Sequence, residues 1–382
     1  MIKEVVVKSN KKEKIYSYNA FKGIGALFIL FSHMSYLSEA VNPFWNSLWK
    51  NFMQYGSRFT TLFFMISGFF LAYTWKDRKF KDYILSKLKR VYPLTIIVFI
   101  LALGISILLS KNIEVNKNGE IGSPIWIFNV FANIFLIKTF VPYERTFYSF
   151  HGPSWYISVL FAFYVFGYIF LKKINSKNIK VREIWLKRSL NICIMTYGIE
   201  LLICLAMFIT GKGSLYLRYV NPWFRIFAEG LAGVLLCEYM PKIQRKIRFF
   251  KVNIIEIFAV ILFFVVYIFN NFNKLNIFSA WIWTFPFGFL LIAFRRDKGC
   301  ISKFLKKKPF QFLGNISFEL YMTHAFVYEG LPIMVGIISK SLKETLIYYA
   351  GTRFIITLIL SIVFAWIVNQ LMNKMYKLKI LR

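Results

Sequence analysis

The feature that most constrains this chain is a series of apolar runs, each about eighteen residues or longer, separated by short basic loops. They fall at roughly 18–37, 57–75, 92–110, 124–142, 154–171, 189–210, 222–240, 252–270, 277–294, 312–332 and 354–372. Hydrophobic residues make up 58% of the chain, and the mean hydropathy is +0.54. A soluble domain has no place for so many long runs. In hydrocarbon, each segment has to satisfy its own backbone polar groups, which a helix does internally. The fold class is therefore an all-α integral membrane protein. Trp and Tyr near the run ends fit interfacial belts.

The net charge is +32. These charges sit in short loops rather than in one domain, which argues against a nucleic-acid partner and for orientation in a membrane. The linker 76–91 carries Lys76, Arg78, Lys79, Lys81, Lys87, Lys89 and Arg90, and the linker 172–188 is similarly basic. Both belong in the cytoplasm by the positive-inside rule, so an even number of crossings separates them. Three apolar runs lie between 92 and 171, so one does not cross. The choice falls on 124–142, which holds Pro124, Asn129, Asn133 and Lys138. It reads as an outward-facing re-entrant or interfacial segment. About ten spans remain, with both termini cytoplasmic and every Lys/Arg-rich linker inside. The domain plan is a basic arm 1–17, a transmembrane domain 18–372 and a basic tail 373–382.

Polar groups inside spans are expensive and are functional candidates by default. In the first run Lys22 and His33 lie eleven residues apart, which puts them on nearly the same helix face about 16 Å apart. One account is a snorkelling Lys and a His with an interhelical hydrogen bond. The other is a passage with a cation at its cytoplasmic mouth and a base in its wall. Gly23 and Gly25 leave room for a helix or a ligand to approach. Arg225 and Glu229, four residues apart, are expected to pair. The four cysteines form no C-x-x-C pair, and no metal or disulfide role is expected for them.

The stretch Phe21-Lys22-Gly23-Ile24-Gly25-Ala26-Leu27 through His33 resembles the opening motif of the acyltransferase-3 family, a basic residue and His with ten residues between. Further stretches resemble the same family in the same order. They are Leu62–Phe69, Lys87–Pro93, Pro153-Ser154-Trp155-Tyr156-Ile157-Ser158 and Leu313–His324. The resemblance covers nearly the whole chain and implies a bacterial membrane O-acyltransferase of surface carbohydrates. It departs from the pattern at Lys22, where Arg is commoner, and at Leu160, where many members carry Glu.

What the resemblance implies is an acyl-CoA donor, usually acetyl-CoA, with no metal, and a surface glycan or lipid-linked sugar as acceptor. His33 is the expected catalytic residue, as base or transient acyl carrier. Lys22, Lys87, Lys89 and Arg90 are expected to hold the CoA phosphates, unless the last three serve orientation alone. Ser67 either orients the donor or packs beside Gly68. On the acceptor side stand Ser154, Trp155, Glu319 and His324, each with an ordinary structural alternative. His151 reads as a loop residue. The expected location is the plasma membrane, and the Lys-, Asn-, Ile- and Phe-rich composition points to an AT-rich bacterial genome. A carrier or flippase of lipid-linked sugars is the competing function, and a non-catalytic assembly scaffold is the third.

Overall fold

A computed structural model describes residues 13–109, 118–141, 143–210, 221–272 and 279–378. Most of the expected arm, residues 1–12, and the end of the expected tail, 379–382, lie outside the described residues. Among the described residues the regular structure is entirely helical.

The principal helices are α1 (Tyr16–His33), α2 (Phe59–Tyr73), α3 (Phe80–Leu109), α4 (Pro124–Ile134), α5 (Trp155–Ile174) and α6 (Ile179–Thr210). After them come α7 (Leu231–Lys246), α8 (Val252–Phe272), α9 (Ser279–Ala293), α10 (Lys308–Asn315), α11 (Ser317–Ile338) and α12 (Ala350–Lys377). Six stretches are long and apolar enough to cross a membrane, and they fall on α3, α5, α6, α8, α11 and α12. The other expected spans fall on shorter or interrupted helices. The first run does not stay helical to residue 37: α1 stops at His33, and a 3-10 turn, Ser35–Glu39, follows. The run 222–240 contains a π-helical turn, Arg225–Gly230, before α7. Within that turn the predicted Arg225–Glu229 pair forms at 2.5 Å, and Thr61 Oγ1 also accepts from Arg225.

Helix directions follow from the contacts. Lys87 lies over Tyr164, and Tyr83 lies beside Tyr168, so α3 and α5 run antiparallel. Phe263 meets Phe287 while Tyr267 meets Trp283, so α8 and α9 do too. Phe31 packs on Phe354, and α12 runs back from there to Tyr376, whose hydroxyl donates to the carbonyls of Lys89 and Arg90. α1 and α11, by contrast, run parallel. Asn19 near the start of α1 bonds Asn315 just before α11, and further along both helices His33 meets His324.

The start of α1 has no side-chain cap of its own. Asp297 supplies one: its carboxylate accepts from the backbone N–H of Tyr16 (3.2 Å) and Ser17 (3.1 Å) and from Ser17 Oγ (2.5 Å). That satisfies otherwise orphaned donors and places negative charge at the positive end of the helix.

α4 has 11 residues, about 16 Å, roughly half the thickness of a bilayer's hydrocarbon. The chain around it goes in and comes back. Asn118 bonds Ser106 far along α3, and Ile134 accepts from Tyr92, near the middle of α3. Phe150 N then donates to Asn118 Oδ1 at 2.7 Å, which closes the hairpin at its own starting point. The polar residues that argued against crossing hold it together. Asn129 accepts from Thr146 (2.7 Å), and Asn133 donates to Ser149 (2.7 Å).

Two close backbone approaches set the packing. A Cβ on Gly68 would overlap the carbonyl of Gly230, and one on Gly233 would overlap that of Met65, so α2 and the π turn with α7 touch backbone to backbone. Gly198 has open space around the same position. Gly68→Ala and Gly233→Ala should therefore each cost about 1–3 kcal/mol, while Gly198→Ala should be neutral or slightly stabilising through its helix propensity. Thermal melting of detergent-purified variants reads this. Equal melting temperatures for all three would contradict the packing.

Candidate active site

The candidate residues fall into two groups, one near each end of α1.

At the first end, Arg90, Lys14 and Glu319 are the charges that act on Lys22. Glu319 Oε1 accepts from Asn369 Nδ2 at 2.9 Å, and its Oε2 is buried without a partner. Lys87, one turn before Arg90 on α3, lies over the rings of Tyr83 and Tyr164 at 5.3 and 5.2 Å. Arg90 also acts on Tyr156, whose hydroxyl is 3.3 Å from Ser67 Oγ. Arg90 thus acts electrostatically on Lys22 and Lys87 and, more weakly, on Tyr156, the partner of Ser67. Lys89 is exposed, is absent from the charges around Lys22, and sits about 200° round α3 from Lys87.

At the other end, all three histidines of the chain converge. His33, the last residue of α1, is exposed. Its ring stands 5.1 Å from that of His324 and stacks on Tyr328 at 5.7 Å with 14° between the planes. His324 is fully buried, and its Nδ1 lies 2.7 Å from Tyr321 O and 3.2 Å from Leu320 O. Its Nε2 has no partner. His151 is buried, not a solvated loop histidine. It stacks on Phe326 at 5.3 Å, and His324 and His33 are among the groups that act on it electrostatically.

His151 is placed by the α4 hairpin. Lys138 is 1% exposed and donates to the carbonyls of His151 (2.7 Å) and Ser149 (3.1 Å). Burial, and then the Lys138 ammonium, hold His151 well below the usual imidazole range, so it is neutral at physiological pH. The backbone of Met322 hydrogen-bonds its ring, and it borders a small cavity lined by Thr95, Asn133, Ser154 and Ser158 together with Val98, Phe99 and Leu136. Ser154 Oγ is engaged, donating to His151 O at 2.7 Å. Trp155 packs among Phe64, Phe147 and Tyr156.

Read from the sequence alone, Tyr156, Tyr321 and Tyr328 stand out little in a chain that is 20% aromatic, and His151 looks peripheral. One usable signal was present: a chain of 382 residues with three histidines, each next to a motif. Gly23 and Gly25 serve protein packing. A Cβ on Gly23 would overlap the backbone of Leu313 and Gly314, and one on Gly25 would press on Phe63 and Phe59.

The acyltransferase domain family Acyl_transf_3 matches residues 15–370, which takes in both groups of side chains and every helix between them. The chain belongs to this acyltransferase family. Acyltransferase MdmB of Streptomyces mycarofaciens is 27% identical over 134 residues, 34% of this chain and 32% of the relative. The match thus spans about a third of that relative's length. No solved structure matches the chain. With its apolar helices, this member of the acyltransferase family is a multi-pass membrane protein.

The hairpin that carries His151 yields a pH prediction. Lys138 lies outside the expected spans, and burial pushes its ammonium from 10.5 down to about 7. Between those values the unfolded chain holds a proton that the folded protein has released. Stability therefore rises with pH across that window, and this contribution is lost as pH falls through about 7. Melting temperatures between pH 7 and 9.5 should climb more steeply for the wild type than for Lys138→Met. Parallel curves would contradict the assignment.

Proposed function

We propose that this membrane acyltransferase moves an acetyl group from cytoplasmic acetyl-CoA to a hydroxyl of a cell-surface glycan or lipid-linked sugar, with His33 as general base. The observation that carries the reading is the pairing of α1 with α11. His33 meets His324 of α11, and about 16 Å back along α1 Lys22 feels Glu319 of the same helix electrostatically. One end is cationic and the other is lined with imidazoles. A donor with charged phosphates at one end and a thioester at the far end of a flexible arm fits that division.

In this reading Lys22, Arg90 and Lys87 hold the phosphates, and Ser67 with Tyr156 lines the path of the arm. His33 takes the proton of the acceptor hydroxyl, whose oxygen attacks the thioester carbonyl. The carbon–sulfur bond breaks, and the leaving CoA thiolate takes the proton back from the imidazolium. Ser154 and Trp155 shape the acceptor side by packing. The site belongs to a protein of about ten spans with both termini cytoplasmic, in a bacterial plasma membrane. The helix directions support this: α1 and α11 are both odd-numbered spans in that scheme and run parallel, and α12 opposes them. A carrier of lipid-linked sugars would use the same groups for binding alone.

Purified His33→Ala should retain donor binding and melting temperature while thioester turnover falls by about a hundredfold or more. Lys87→Gln with Arg90→Gln should instead raise the donor KM and flatten its dependence on salt. Near-normal turnover by His33→Ala would remove the proposed base and favour the carrier.

A further inference from the structure

His324 has a fixed tautomer. A carbonyl oxygen only accepts hydrogen bonds, so the Nδ1 that sits 2.7 Å from Tyr321 O carries the proton. In the neutral ring Nε2 is then a bare lone pair. It is buried, it has no partner, and the side chain that carries it is 1% exposed. An unpaired acceptor in that setting costs roughly 1–3 kcal/mol, so its retention asks for a donor. The ring in contact with it that can donate is His33, at 5.1 Å between centroids and 38° between planes. Tyr328 also stacks on both rings, but its hydroxyl is committed to Glu329 at 2.7 Å.

We infer that His324 is a positioning residue for the transfer reaction: its Nε2 accepts the N–H of His33 and leaves the other His33 nitrogen bare toward the acceptor hydroxyl. The chain runs from the carbonyl of Tyr321, through Nδ1–H and Nε2 of His324, to the N–H of His33. A rotation of the exposed His33 ring closes the last link, as catalytic hydrogen bonds commonly tighten when substrate arrives. When His33 takes the hydroxyl proton, the new positive charge lies against a neutral acceptor that is itself braced by a carbonyl. The oxygen bonds to the acyl carbon, sulfur leaves, and His33 returns the proton to sulfur, while His324 keeps its own proton throughout. The arrangement reproduces the logic of a base held in one tautomer by an orienting partner, with an imidazole where a carboxylate could serve. A neutral orienter is less costly than an anion in this buried position.

This inference rests on the reading of His33 as the base, and the test separates the two. The full chain is purified in detergent and given acetyl-CoA, with water as acceptor, and release of the CoA thiol is followed. In His324→Asn the amide N–H can still bond Tyr321 O, but nothing stands at the position of Nε2. In His324→Gln the amide oxygen stands near that position. The expected results are a fall in kcat of about a hundredfold for Asn at unchanged donor KM, and recovery of at least tenfold of that by Gln. The double variant His33→Ala/His324→Asn should be no slower than His33→Ala, because a residue that acts through His33 has nothing left to act on. Should the Asn variant not fold, His324→Gln combined with His33→Ala reads the same coupling. Multiplying losses in the double variant, or Asn turnover within threefold of wild type, would overturn the inference. A His33→Ala variant of normal turnover would sink the underlying reading instead.

Discussion

The site depends on the register between α1 and the α10–α11 corner, and that register is set by backbone contact. Gly23 lies so close to Gly314 that neither position tolerates a Cβ, and Gly314 in turn abuts the carbonyl of Asn19. Asn19 Nδ2 locks the same junction with bonds to Gln311 O (3.3 Å), Gln311 Oε1 (3.2 Å) and Asn315 Oδ1 (3.0 Å). Small residues let the helices approach, and the amide then fixes one sliding position among several. With that position fixed, His33 meets His324, and Glu319 of the same helix is among the charges that act on Lys22. Asp297 holds the start of α1 from the other side. Leu313 and Gly314, at the start of the motif stretch Leu313–His324, therefore have a structural role, and they place α11.

A second constraint is the cost of polar groups away from water. Asn129, Asn133, Lys138, Thr146 and Ser149 are all buried, and every one is paired within the same hairpin. That internal satisfaction lets the hairpin pack against α3 and carry His151 to the other histidines. The buried polar atoms without a partner include Glu319 Oε2 and His324 Nε2. Unpaired acceptors surrounded by satisfied ones mark a place where a substrate or a moving side chain supplies the missing donor.

How much of this was legible in the sequence follows from the range of each signal. Helices announce themselves locally, so apolar runs and basic linkers located nearly all of them. Lys22 and His33 share a face because eleven residues is close to three turns, and that spacing needed no structure. The pairing of Arg225 with Glu229 was equally local, although the π turn that carries it was not foreseen. What failed was long-range. His151 lies 173 residues from His324 in sequence, and nothing local says that a buried lysine pulls it out of the loop. Gly23 and Gly25 were open to two uses, and only the position of Leu313, Gly314 and Phe63 decides for packing. Lys89 looked like its neighbours because composition carries no azimuth. The first apolar run extends to about residue 37, yet α1 ends at His33, so His33 lies at a helix end rather than partway along one.

The central claim is that one helix carries both the phosphate site and the base. Cryo-electron microscopy of the full chain with a non-hydrolysable acetyl-CoA analogue tests it most directly. The account predicts the CoA phosphates beside Lys22 and Arg90, the acyl carbonyl within hydrogen-bond reach of the His33 ring, and the arm passing Ser67 and Tyr156. Analogue bound elsewhere, or bound with its acyl end at Lys22, would contradict it.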